Sequence, residues 1–476
     1  MAAHAHHSEP APEDRIKLRE SSGMLMIIGI VAAAAGVAML FLGNHPTQRV
    51  LFSYLMAWVF FTTMALGALF AVVVHHAARA GWNVTIRRTS ENIAATLPVL
   101  WLLSIPLLIS IINQKGTIYM WAIPPNSPQL GIAEGDSYAH EGANTDSKHE
   151  EAVKAADQQN VEQQQSEEEE FPPTAQATHA KRTAEFAHGP VFEKGIKWKR
   201  DGAFAWYSNA FFFLRIFLYF ATLSGIALWF RRTSIRQDHT GDKNLTLKMQ
   251  SVAPVCLVIM GLAITFMTFD LIMSLDPHWY STMFGVYVIT GSILSGFATI
   301  IIAVYLLQAL GYLRGSVSIE HYHDLGKYLF GFTFFFGYIA FGQYMLLWYS
   351  SIPEEVSWYS RHGASTQHPS SWSGVIIAIL FGQFCIPFLG LLSRHVKRNK
   401  TLLFLWAIWV LVFHVVDAYW MVMPEYGALN PGIVDLGALL IFGGLFVAAI
   451  VWNMSRADLR PTHDPRLKDA LAFTNI

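Results

Sequence analysis

The chain has 476 residues, 53% of them hydrophobic and 14% charged, with a mean hydropathy of +0.34 and a formal net charge of −1. Its 15 Trp and 33 Phe are too many apolar aromatics for a soluble protein of this length to bury. The lone cysteines, Cys256 and Cys385, leave no CxxC or CxxCH motif, which excludes a c-type haem, an iron–sulfur cluster and a thiolate zinc site in this chain.

Apolar runs of about 20 residues recur along the sequence and identify an all-α polytopic membrane protein. The alternating strands of a membrane barrel are missing. The spacing predicts ten transmembrane helices at 23–42, 53–74, 93–112, 207–230, 252–273, 283–307, 328–349, 373–392, 401–421 and 434–454. The N-terminal tail, 1–22, carries His4, His6 and His7 and no signal-peptide pattern, and a C-terminal tail occupies 455–476. Spans one to three fill 23–112 and spans four to ten fill 207–454. One set of short loops is strongly basic, as in Arg231, Arg232, Arg236, Lys243 and Lys248, or Arg394, Lys397, Arg398 and Lys400. The opposite short loops carry only Arg49 and Arg361, so both termini are expected in the cytoplasm.

The loop 113–206 is the one large extracytoplasmic piece. Its middle, EEAVKAADQQNVEQQQSEEEE, has too little apolar content to offset the entropy of ordering and is expected to stay unfolded or to fold on a partner. The end of the loop, FEKGIKWKRDGAFAWYSNAFFF, mixes basic and aromatic residues and suits the membrane interface.

The stretch WAIWVLVFHVVDAYWMVMP, Trp406 to Pro424, is apolar enough for lipid yet carries His414 and Asp417 three residues apart, on one helix face. An ionisable group there costs at least about 2.5–3.5 kcal/mol, so it needs partners, water or a role. At 1.5 Å per residue the two lie roughly 20 and 24 Å above the cytoplasmic start of their span. Arg215, Asp270, Tyr287 and Gln343 fall in the same outer stratum of other spans. Acid, base and histidine at one depth is what a proton-handling or polar-ligand site needs. The plain reading is a set of structural pairs: Arg215 snorkelling or holding Asp270, and His414 bonded to Asp417 between helices. The inner halves of the spans show no ionisable residue, with His75, His76 and Glu91 at the cytoplasmic rim. His414 is the one histidine well inside a span, so no b-type haem is expected and no redox group belongs to the chain itself.

A faint repeat accompanies this pattern. Asp270 precedes Pro277 by seven residues and Asp417 precedes Pro424 by seven, each in an outward span that ends in an aromatic loop. Two four-helix units, spans 2–5 and 6–9, with spans one and ten added outside, follow from it. Intramembrane charge on repeated units also allows a secondary transporter, and a purely structural membrane anchor is the third reading.

Three segments carry a resemblance: QYMLLWYSSIPEEVSWY (Gln343 to Tyr359), FDLIMSLDPHWYSTMFGVY (Phe269 to Tyr287) and FHVVDAYWMVMP (Phe413 to Pro424). Together they resemble the ActF-like membrane subunits of alternative complex III, a bacterial quinol:cytochrome c oxidoreductase, within the NrfD and polysulfide-reductase membrane-subunit family. The likeness extends over the ten spans but not over the long loop. It implies two four-helix bundles plus two peripheral helices, no covalently bound cofactor, no metal, and a quinone such as menaquinone and lipids as companions. The implied partners are an ActC-like sister subunit, an iron–sulfur subunit, multihaem and monohaem cytochromes c and a haem–copper oxidase, with no nucleic acid. It also implies that His414, Asp417 and Asp270 are the outer polar residues, with Glu354 and Glu355 at the loop mouth.

Overall fold

The structure, a computed structural model, describes residues 16–18, 22–42, 45–113, 117–122, 206–277, 279–364 and 369–474. The acidic stretch of the long loop and its basic–aromatic end up to residue 205 lie outside the described residues. Ten helices are long and apolar enough to cross a membrane: α1 Ser22–Phe41, α2 Thr47–Ala77, α3 Val84–Asn113, α4 Asn209–Thr240, α5 Asn244–Leu275, α6 Thr282–Ala309, α7 Ile319–Ser350, α8 Ser373–Gly390, α9 Lys400–Glu425 and α10 Ile433–Ser455. The chain is an all-α polytopic membrane protein, with no strand among the described residues.

The helices α2 and α6 form the centre. Their backbones touch: a Cβ on Gly67 would lie 1.8 Å from the Ser292 carbonyl oxygen, and one on Gly296 would lie 2.3 Å from the Gly67 carbonyl carbon. Glycine is the residue that permits so close a crossing. Aligning SYLMAWVFFTTMALGAL of α2 with TMFGVYVITGSILSGFA of α6 sets Gly67 against Gly296 and Trp58 against Tyr287. The contacts follow the same symmetry. Helix α2 packs on α3 and α5, and α6 on α7 and α9, while α5 touches α6 and α9 touches α2 across the boundary. These are the two four-helix units expected from the Asp–Pro repeat. Helix α1 lies outside them on α10, with Gly29 against Gly444 and Gly36 against Gly437.

Several helices outrun their apolar runs. Helix α7 begins at Ile319, nine residues before the expected 328, because Ser318 and His321 form a reciprocal cap and the polar first turns continue the helix beyond the apolar slab. Helix α4 continues through Arg231, Arg232 and Arg236 to a left-handed Gly241. Helix α3 is interrupted twice, at residues 95–96 and 103–104, each break followed within three residues by a proline, Pro98 and Pro106. Helix α8 contains a π-helical segment at Leu380–Cys385.

Both chain ends meet on one side, where the Leu459 N–H donates to the Ile16 carbonyl at 2.7 Å. We call this the terminal end, and the opposite side the far end. The first part of the long loop is not low-complexity chain. Tyr119 and Trp121 are buried at the far end, with the Tyr119 hydroxyl donating to the Leu271 carbonyl at 2.9 Å and Trp121 stacked on Tyr207 at 4.9 Å.

Candidate functional site

Helix α9 is fixed at its start by Asn399, whose Oδ1 accepts from the N–H groups of Thr401 and Leu402 at 3.1 Å. Three to four turns later its buried face presents His414 and, three residues on, Asp417, both 1% exposed. The Tyr287 hydroxyl of α6 donates to Asp417 Oδ1. His414 Nε2 lies 2.8 Å from Thr63 Oγ1 of α2. Thus one histidine and one carboxylate on α9 reach the two central helices at once. Gly291 leaves the room for the ring, since a Cβ there would stand 3.3 Å from His414 Cε1.

His414 Nδ1 and Asp417 Oδ2 face each other at 3.7 Å, beyond hydrogen-bond range, and neither atom has a partner among the described residues. An unmet buried polar atom costs about 1–3 kcal/mol. The chain therefore carries two such atoms side by side in its interior, one able to bind a proton and the other able to stabilise it there. The order Tyr287, Asp417, His414, Thr63 is a line of exchangeable protons across three helices.

The far-end connection after α7 roofs this line. A short helix, Pro353–Tyr359, runs into a π-type turn, Ser360–Ala364, that depends on a left-handed Gly363 (φ 94°). Gln343 of α7 is buried, and burial pushes the Tyr359 phenol up from its ordinary value. Trp358 stacks on Trp279 at 4.2 Å and on His362 at 3.6 Å, and Trp420 donates to the His362 carbonyl at 2.8 Å. Of the two glutamates expected at the loop mouth, Glu355 contributes its backbone carbonyl to Trp279 Nε1 at 3.1 Å. The Glu354 side chain lies outside the described residues.

Arg215 and Asp270 form a group of their own. Arg215 grips both Asp270 oxygens, at 2.9 and 2.8 Å, and donates to the Trp206 carbonyl at 2.8 Å. The Tyr219 hydroxyl adds a third bond to Asp270 at 3.1 Å, and the guanidinium lies 4.1 Å from the Trp206 ring centre. Arg215 does not snorkel; it is buried and bidentate. No described contact joins this group to His414 and Asp417. Helices α2, α5 and α6 border a small, mainly apolar pocket, lined by Thr62, Thr63, Met267 and Thr268 among others. The hydroxyls of Thr62 and Thr268 have no partner among the described residues.

Sequence reasoning missed three further clusters. Arg49 holds Asp435 Oδ1 and Oδ2 at 2.8 and 2.6 Å, tying the start of α2 to the start of α10. Arg361 pairs with Asp276 and lies 3.7 Å from Glu425, bracing the roof. These are the two far-end basic residues that stood out as exceptions in the loop count, which was the available signal. The third cluster closes the terminal end: Arg87 contacts Glu91 at 3.2 Å and Asp464 at 2.7 Å, and Arg88 contacts Glu91 at 2.9 Å and Asp238 at 2.6 Å. His75, His76 and Glu91 are buried at the terminal end, His75 against Trp82, Phe297 and Tyr328, His76 against Phe230, and Glu91 between Arg87 and Arg88. The i, i+3 and i+4 spacing of Arg87, Arg88 and Glu91 was legible; Asp464, far along the chain, was not. Burial alone would raise the Asp464 carboxyl, but the Arg87 charge and the Arg466 N–H outweigh it and hold it below the usual carboxylate range.

No protein-family model matches the chain, and no curated protein matches it. Among the described residues no three His, Cys, Asp or Glu side chains gather into a metal-holding group.

Proposed function

We propose that this chain is the ActF-like, non-haem membrane subunit of a bacterial quinol:cytochrome c oxidoreductase of the alternative complex III type, with both termini in the cytoplasm. In this reading it anchors extracytoplasmic iron–sulfur and cytochrome c subunits beside an ActC-like sister, and electrons travel in those partners. The observation that carries the proton-handling role is the buried line Tyr287, Asp417, His414 and Thr63, with its two unmet atoms at 3.7 Å. A histidine facing a carboxylate in low dielectric can take up a proton and release it as the local charge changes.

The pocket beside Thr63 is too small to hold a quinone ring. In this reading the resemblance assigns quinol oxidation to the ActC-like sister, and this chain contributes proton handling. His414 would accept or hold the proton, Asp417 would stabilise the charged ring, Tyr287 would fix Asp417, and Thr63, whose hydroxyl donates to the Phe60 carbonyl at 2.8 Å, would orient the His414 ring.

The test is purification of the tagged full chain from its own host in mild detergent. Co-purification of an iron–sulfur protein and c-type haem supports the reading. A protein that purifies alone, and in liposomes moves a solute by itself, supports the transporter instead.

A further inference from the structure

Where α6 ends and α9 begins, at the terminal end, an open pocket of about 370 Å³ is lined by Tyr305, Gln308, Ala309, Arg314 and Lys400. One buried glutamine organises it. Gln308 Nε2 donates to the carbonyls of Leu313 and Val317 at 3.1 and 2.8 Å, pinning the loop that carries Arg314. Its Oε1 accepts from Tyr322 at 3.1 Å and from Lys400 Nζ at 3.0 Å, and its backbone carbonyl accepts from Arg314 Nε at 3.0 Å. Both cations are thus held by neutral groups. Among the described residues neither forms an ion pair with a carboxylate, unlike Arg398, which is paired with Glu320. Two positive charges share one pocket with no carboxylate paired to either among the described residues.

The pocket borders apolar surface. Leu306 of α6, Leu310 just after it, and Leu402 and Leu405 of α9 are exposed, and Tyr305 stacks on Phe404 at 4.2 Å. A ligand for this place needs a compact anion at one end and hydrocarbon at the other. We propose that the Gln308–Arg314–Lys400 pocket binds the phosphodiester headgroup of an anionic phospholipid, with its acyl chains lying along α6 and α9. Basic pockets between helix ends on the cytoplasmic side are suited to such headgroups, and Arg adds a forked donor to the Lys point charge. The phosphate accepts from Lys400 Nζ and from the guanidinium hydrogens that Gln308 and Ala309 leave free. The inference is independent of the proton-handling role.

The test is native mass spectrometry of the full chain, purified in detergent and titrated with phosphatidylglycerol, phosphatidylcholine or inorganic phosphate. Wild type should hold one phosphatidylglycerol, which neither phosphatidylcholine nor millimolar phosphate displaces. Arg314→Ala/Lys400→Ala should bind it at least about tenfold more weakly, and the charge-keeping Arg314→Lys/Lys400→Arg pair should restore binding. Arg314→Gln alone provides a milder variant with a smaller loss in the same direction. Unchanged affinity in the double Ala variant, equal binding of the zwitterionic lipid, or displacement by inorganic phosphate would each overturn the proposal.

Discussion

His414 Nε2 and Thr63 Oγ1 stand 2.8 Å apart and join the last helix of one four-helix unit to the first helix of the other. The contact crosses the seam where Gly67 meets Gly296, so the polar line and this close helix crossing share a boundary. A proton held at His414 is therefore held by both units.

The glycine crossing gives the first prediction. Gly67→Ala or Gly296→Ala forces a methyl group into opposing backbone and should cost more than the about 1–3 kcal/mol typical of overpacking, abolishing monodisperse protein. Gly225→Ala and Gly261→Ala, with nothing within 4 Å of the added carbon, should behave as wild type. Size-exclusion profiles and thermal melts in detergent check this. Equal behaviour of the two pairs would refute the close crossing.

Arg215 and Asp270 give the second. Asp270→Ala strands a buried guanidinium and should destabilise the protein by about 3–5 kcal/mol. Arg215→Met/Asp270→Leu, which removes both charges, should recover most of the loss. Melting temperature is the readout, and a neutral Asp270→Ala would show the pair to be dispensable.

The C-terminal tail gives the third. The folded Asp464 carboxyl is held below its ordinary value of about 3.9, so its contribution is complete at higher pH and is lost as pH falls through the lowered folded value. Protection of residues 456–474 from hydrogen exchange, relative to the unprotected amide at each pH, should be high at neutral pH and fall only in strong acid, whereas Asp464→Asn should lose protection at every pH. Protection that ignores both pH and the substitution would remove the Asp464–Arg87 latch from the account.

The ten spans were legible because hydropathy and helix rise are local properties, and His414 with Asp417 was legible because three residues place them on one face. Helix rise suggested one stratum for Arg215, Asp270, His414 and Asp417. Azimuth was not readable. Sequence could not say that Asp270 turns to Arg215 and Tyr219 while Asp417 turns to Tyr287, which splits the stratum into two groups. Thr63 gave no signal, since a threonine in a membrane helix commonly bonds its own backbone. The buried terminal end was hidden for another reason: Asp464 reaches Arg87 through a tail whose polar sequence reads as solvent-exposed.

Tyr287→Phe gives the fourth prediction. It removes the donor to Asp417 Oδ1 and leaves the carboxylate with one fewer partner, at a cost of about 1–3 kcal/mol. The subunit should still assemble, melt lower, and show a shifted pH profile of turnover. An unshifted profile would reduce Tyr287 to a packing residue.

The most direct test is quinol:cytochrome c turnover of the intact purified complex carrying Asp417→Asn or His414→Ala in this chain. Removing a positioned proton carrier typically costs about 10²–10⁴-fold in rate, so the account predicts turnover falling by at least about tenfold with every subunit still present. Full turnover in both variants, in complexes of normal composition, would contradict it.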